Sequence, residues 1–81
     1  MNNMKEVWLV EDDLGHYQKV FDSFEAARLQ IIEEIMEITD SDWYDEAMTE
    51  LNEYSEKDGY ITVTGIAYAT RMEVHTKEEF D

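Results

Sequence analysis

FDSFEAARLQIIEEIMEITDSDWYDEAMTELNEYSEKDG, residues 21–59, decides the architecture, because it reads as two helices in succession. In the first, Asp22 or Ser23 can cap the N-terminus, and Asp22 with Glu25 has capping-box spacing. Phe24, Ala27, Ile31, Ile35 and Ile38 fall on one stripe, widened by Leu29, Ile32 and Met36, with Gln30, Glu33, Glu34 and Glu37 outside. A stripe that wide predicts two neighbours, a sheet and the next helix. The second helix starts at one of Asp40, Ser41 or Asp42 and runs to Gly59, a natural C-cap residue. At 3.6 residues per turn, Trp43, Tyr44, Ala47, Met48, Leu51 and Tyr54 share roughly 140° of arc. Asp42, Asp45, Glu46, Glu50, Glu53 and Glu56 occupy the opposite arc, with Lys57 their single nearby cation.

Strand patterns flank this pair. In MKEVWLV (residues 4–10), Glu6, Trp8 and Val10 point one way and Lys5, Val7 and Leu9 the other. EDDLGH (11–16) is a turn and HYQKVF (16–21) returns, so residues 4–21 form an antiparallel hairpin. YITVTGIAYATRMEVH (60–75) is β-rich but would extend about 50 Å as one strand. Thr64-Gly65 can turn it into a hairpin, the reading favoured here, or Gly65 can mark a bulge in one bent strand. The tail TKEEFD (76–81) reads as frayed. The expectation is one α+β domain over residues 1–81, ordered β-β-α-α-β(-β): an antiparallel sheet of three to four strands with two helices on one face.

Charge sets the limits on function. The 81 residues hold 21 Asp and Glu against 6 Lys and Arg, a formal net charge of −15. Residues 33–58 alone hold eleven acids and one base, which places −10 of that charge in 26 residues. Such a field repels nucleic acid and anionic membranes and attracts basic surfaces. With 43% hydrophobic residues the chain has material for a core despite its charge. There is no Cys, and no apolar run approaches the ~20 residues that span a bilayer. Without a signal-peptide pattern, a soluble, cytoplasmic protein is expected, in a host bacterial cell if it is phage-encoded.

Enzymatic chemistry is not expected. Ser23, Ser41 and Ser55 lack an evident base, and His16 and His75 sit near strand ends with no triad logic around them. Paired carboxylates act as acid and base only in a pocket that separates their pKa values, which an exposed helix face does not supply. Glu11, Asp12 and Asp13 cluster oxygens, yet no Ca²⁺-loop or His-pair motif is present, so neither a metal nor a cofactor is expected.

The helical carboxylates need another explanation. Asp42–Glu46 and Glu46–Glu50 are like-charge pairs at i,i+4, while Asp42–Asp45, Glu50–Glu53 and Glu53–Glu56 are such pairs at i,i+3. Together they cost about 1–2.5 kcal/mol at low salt, a real fraction of a small domain's stability. The macrodipole offsets some of this at Asp42 and Asp45 but opposes Glu53 and Glu56. Carboxylates one turn apart step by about 6 Å, against one phosphate charge per ~3.4 Å of helix axis along one DNA strand. A row of Asp42, Glu46, Glu50 and Glu53, flanked by Glu33, Glu34 and Glu37, can therefore imitate a short run of phosphates. The bland alternatives are a solvated acidic surface and a halophilic composition.

The 33–58 carboxylate stretch in a Cys-free, Pro-free chain, opening with VWLV…YQKVFDSFEAA, resembles the small acidic anti-defence proteins of phages and mobile elements, including DNA-mimicking anti-CRISPR and anti-restriction proteins. The resemblance implies an inhibitor that occupies the basic groove of a nucleic-acid-binding protein, such as a Cas9-type nuclease. Asp42, Asp45, Glu46, Glu50, Glu53 and Glu56 would then meet its Arg and Lys, with Glu33, Glu34 and Glu37 behind them and Glu11, Asp12 and Asp13 reaching a further patch. The competing expectation is a protein-binding module, an adaptor or antitoxin, that docks through the aromatic surface around Trp43 and Tyr44.

Overall fold

The computed structural model describes the backbone of residues 2–15 and 18–77, and the side chains of residues 5–15 and 18–74. The chain runs β1 (Asn2–Asp12), β2 (Gln18–Phe21), α1 (Phe24–Ile38), α2 (Ser41–Leu51), a short 3₁₀ turn (Glu56–Asp58), β3 (Tyr60–Val63) and β4 (Ala67–Lys77). This is the expected α+β order, and residues 60–75 form a hairpin rather than one bent strand. All neighbouring strands are antiparallel, in the order β2-β1-β4-β3. Gly65, at φ +78°, makes the turn between β3 and β4. Trp43 lies across it, 3.5 Å from where a Cβ would stand, an ordinary contact distance, so it is the positive φ that would strain a side chain here.

Alternation along the strands puts one face against both helices. Trp8 and Val10 of β1, Ile61 and Val63 of β3, and Ala67 and Ala69 of β4 are all buried on that face. Phe24, Ala27, Ile31 and Ile35 of α1 and Ala47 and Leu51 of α2 close the core from above. Trp8 meets Phe24 edge to face, with ring centroids 5.2 Å apart, so the first turn of α1 is fixed to the central strand. The small Ala67 and Ala69 let the helix layer approach β4 closely.

The opposite face carries no helix. It presents Lys5, Val7, Leu9 and Glu11 from β1, Val20 from β2, and Tyr68, Thr70, Met72 and Val74 from β4, as the strand register dictates. Val20 is 62% exposed and Met72 42% exposed. β2 pairs only with residues 8–11 and β3 only with residues 67–70, so residues 2–7 and 72–77 continue as a two-stranded ribbon.

Local chemistry places the helix ends. Ser23, not Asp22, caps α1: its hydroxyl accepts from the Ala26 amide at 3.1 Å. Asp40 caps α2, accepting from the Trp43 amide at 2.9 Å. The predicted continuation of this helix to Gly59 does not occur, because α2 stops at Leu51. Asn52, Ser55 and Asp58 all favour local backbone hydrogen bonds over helix. The Ser55 amide donates to Asp58 at 2.8 Å, and the Asn52 side chain accepts from Arg28. Stopping there also removes two like-charge contacts, Glu50–Glu53 and Glu53–Glu56, from one helix face. Tyr54 still reaches the core and meets Tyr60, with centroids 5.2 Å apart. Gly59, at φ +79°, ends the turn, and the Arg71 guanidinium lies over it.

Two more expectations are corrected. Leu29 and Met36 are 58% and 63% exposed, so α1 is wider in apolar residues than its two neighbours cover. Thr76 and Lys77, read as frayed, pair with Asn3 and Asn2, while residues 78–81, His16 and Tyr17, and the His75 side chain lie outside the described residues. The burial pattern predicts that Leu51→Ala lowers unfolding free energy by about 2–5 kcal/mol. Leu29→Ala should change it by about 0.5 kcal/mol or less. Urea denaturation followed by far-UV circular dichroism separates the two.

Candidate functional site

Helix geometry distributes the acids over the outer layer. On α2, Asp42, Asp45 and Glu46 face away from buried Ala47 and Leu51 and are exposed. On α1, Glu33 and Glu37 are exposed one turn apart, and Glu34 is half-buried beside them. Thr39 and Asp40 join the helices, which brings the acidic C-terminal half of α1 next to the acidic start of α2. Neither helix has a base in its last turn. Among the described residues, no hydrogen bond or ion pair occupies the carboxylates of Glu33, Glu37, Asp42, Asp45 or Glu46. Glu34 accepts from Gln30 at 3.3 Å.

The remaining predicted residues divide. Glu53 and Glu56 are exposed but lie past the end of α2, so the six-acid helical ladder is corrected to Asp42, Asp45 and Glu46, with Glu53 and Glu56 on the following turns. Glu50 is turned sideways into the fold. Its carboxylate accepts from the Thr64 amide at 3.0 Å and from the Thr64 hydroxyl at 2.9 Å, bracing the β3–β4 turn from α2. That use follows from position, because Glu50 sits about 80° round from Asp42, at the edge of the buried arc.

The acids near the first hairpin are also engaged. Glu11 and Asp12 belong to β1 rather than to the turn, and Glu11 accepts from the Gln18 amide group at 2.7 Å. Asp13 accepts from the Tyr68 hydroxyl, while its backbone amide donates to the Ile66 carbonyl at 3.0 Å. These contacts hold the β1–β2 loop to the β3–β4 turn. The Asp13 hydrogen bond raises the Tyr68 phenol above its ordinary value of 10.0, and desolvation and the charges of Asp13 and Glu50 push the same way. Thr64 and Tyr68 are thus working residues that sequence reading missed: their partners are distant in the chain, and no local spacing announces them.

The site has the chemistry of a surface. Among the described residues there is no pocket and no group of three or more His, Asp or Glu able to hold a metal. No helix among them is long and apolar enough to cross a membrane. What the arrangement offers a ligand is a broad anionic layer backed by a four-stranded sheet.

Two outcomes test this division of labour. Glu50→Ala should destabilise the fold by about 1–2 kcal/mol, since it strips two donors of a charged acceptor. Glu46→Ala should leave stability unchanged or raise it slightly at low salt by removing like-charge contacts. Thermal denaturation in 20 mM and 300 mM salt reads both. For Tyr68, a phenol raised in the folded chain contributes stability below the unfolded value near 10 and loses it as pH climbs through the folded value. Absorbance titration at 295 nm should show a late-ionising step accompanied by loss of stability, and Tyr68→Phe should remove that step. Compared with protein-family models, with curated proteins and with solved structures, the chain finds no match.

Proposed function

We propose that this protein is a stoichiometric inhibitor that imitates nucleic acid, using its helix layer to occupy the basic groove of a nucleic-acid-binding protein, such as a Cas9-type defence nuclease. The observation that carries the reading is a set of five outer carboxylates without internal partners: Glu33, Glu37, Asp42, Asp45 and Glu46. Carboxylates used for stability are paired or capping, as Asp22, Asp40 and Glu50 are in this fold. The five outer ones repel each other, and a cationic groove would relieve that repulsion while both surfaces release counterions. Glu53 and Glu56 would lengthen the charged track beyond α2. Glu34 stands at its edge. Glu50, Glu11, Asp12 and Asp13 have internal roles and leave the set.

A second reading has one observation in its favour: Trp43 and Tyr44 are each 37% exposed at the start of α2. An adaptor or antitoxin would dock there through aromatic surface. Trp43 also covers Gly65, which gives its ring a structural use and leaves Tyr44 as the freer anchor.

One experiment addresses both. The protein is added to a panel of purified RNA-guided nucleases and restriction enzymes, and DNA binding and cleavage are followed. Mimicry predicts inhibition of at least one enzyme, competition with target DNA, and a loss of about tenfold or more between 50 and 300 mM salt. Asp42→Lys with Glu46→Lys should abolish inhibition while the circular dichroism spectrum is retained. Inhibition that survives this double reversal, or no binding to any member of the panel, defeats the reading. Binding that resists salt and disappears with Tyr44→Ala would favour the adaptor instead.

A further inference from the structure

The sheet face without helices differs from the rest of the surface in charge as well as in apolar content. On a chain of net charge −15, its strand positions carry one cation, Lys5, and one carboxylate, Glu11. Asp22, just past β2, is held by Lys5 at 3.1 Å. Between these groups lie Val20 and Met72, exposed, and Leu9 and Val74, half-buried, around a buried Val7. The other exposed apolar stripe, Leu29 and Met36 on α1, runs beside Glu33 and Glu37 and lacks this neutrality.

Three properties of the face select its occupant. First, it is self-complementary. Lys5 and Glu11 stand six residues apart on one strand, about 20 Å, at opposite ends of the apolar zone. A two-fold axis through the midpoint, near Val7 and Leu9, places Lys5 of each copy against Glu11 of the other, as an isologous contact requires. Second, charge permits this contact where it opposes others. With layers about 10 Å apart, copies packed back to back hold their acidic helix layers roughly 30 Å apart, against a Debye length of about 8 Å at physiological salt. Third, the area fits a weak dimer. Seven residues along three to four strands give a face of about 400 Å², so two copies bury about 800 Å², the size of a weak, transient interface. The contact would also cover one side of the two-stranded ribbon, which is marginal in water on its own.

We infer that this face is the interface of a symmetric homodimer, in which two sheets pack back to back and the acidic helix layers point outward in opposite directions. The inference does not depend on the identity of any target and stands or falls separately from the inhibitor reading. Its salt dependence has the opposite sign: assembly strengthens with salt as self-repulsion is screened, whereas docking of the acidic layer to a basic groove weakens.

Sedimentation equilibrium and light scattering of the full chain test it, from 1 µM to 1 mM protein in 50 and 500 mM salt. The expected result is a mass rising from 9.6 kDa to twice that value, with a midpoint between about 1 and 100 µM and a shift to lower concentration at higher salt. Val20→Gln with Met72→Gln leaves net charge unchanged and alters positions already 62% and 42% exposed, so the monomer should fold and stay at 9.6 kDa. Val20→Gln alone provides the same readout if circular dichroism shows that the double variant is unfolded. The control Leu29→Gln with Met36→Gln should assemble like the parent. A monomer at every concentration and salt, assembly that persists in the folded Val20 variants, assembly lost in the α1 control, or weakening with salt would each overturn the inference.

Discussion

The pairing of β1 with β4 is the constraint on which the rest of the molecule depends. Residues 2–12 and 67–77 run antiparallel along their whole lengths, and every other element is placed relative to them. Forming this pair closes a loop over residues 13–66, which costs about 3.5 kcal/mol from loop length alone. The core that offsets it lies directly on the pair, with Trp8 and Val10 on one strand, Ala67 and Ala69 on the other, and Phe24, Ile31 and Ile35 above. Sheet and helix layer are therefore interdependent. Apart from each other, α1 and α2 have only the sheet to bury against, and the central strands have little else to exclude water from their inner face.

That dependence explains how the fold tolerates its charge. The helix layer sets outer acids against one another, but the repulsion is spread over exposed positions where solvent screens it. Burial beneath them is complete: Ile31, Ile35 and Leu51 are fully shielded from solvent, each contributing about 1.5–3 kcal/mol relative to exposure. A few like-charge contacts at a few tenths of a kcal/mol each do not overcome that. The acids that are harder to place, Glu50 and Asp13, are assigned hydrogen-bond donors instead. Charge without internal use is concentrated on the helix layer, although Glu6 and Glu73 also stand exposed opposite each other on β1 and β4.

Strand and helix identities were legible because local rules agreed with tertiary needs. The alternation of Glu6, Trp8 and Val10 against Lys5, Val7 and Leu9 correctly separates the inner face from the outer one. The first helix and its stripe follow from Phe24, Ala27, Ile31 and Ile35. The end of α2 was not legible, since Tyr54 satisfies a helical stripe and a core-reaching loop equally well. Asn52, Ser55 and Asp58 decide the matter through bonds made only once the helix has stopped. The candidate site was legible as a set of charges but not as a division of roles. Glu50 and Glu46 are chemically identical and one turn apart, and only the return of the chain at Thr64, fourteen residues later, tells them apart.

The ribbon at the far end of β1 and β4 brings Asn2 opposite Lys77. Antiparallel partners stand about 5 Å apart, so a short bridging peptide could join the chain across that tip without disturbing the sheet. The loop at Leu14, 74% exposed, offers a place to reopen it. In such a circular permutant the central strand pair would become a local hairpin and the β1–β2 pairing the distant one. Average contact separation would fall, and the nucleus of folding would move towards the middle of the sheet.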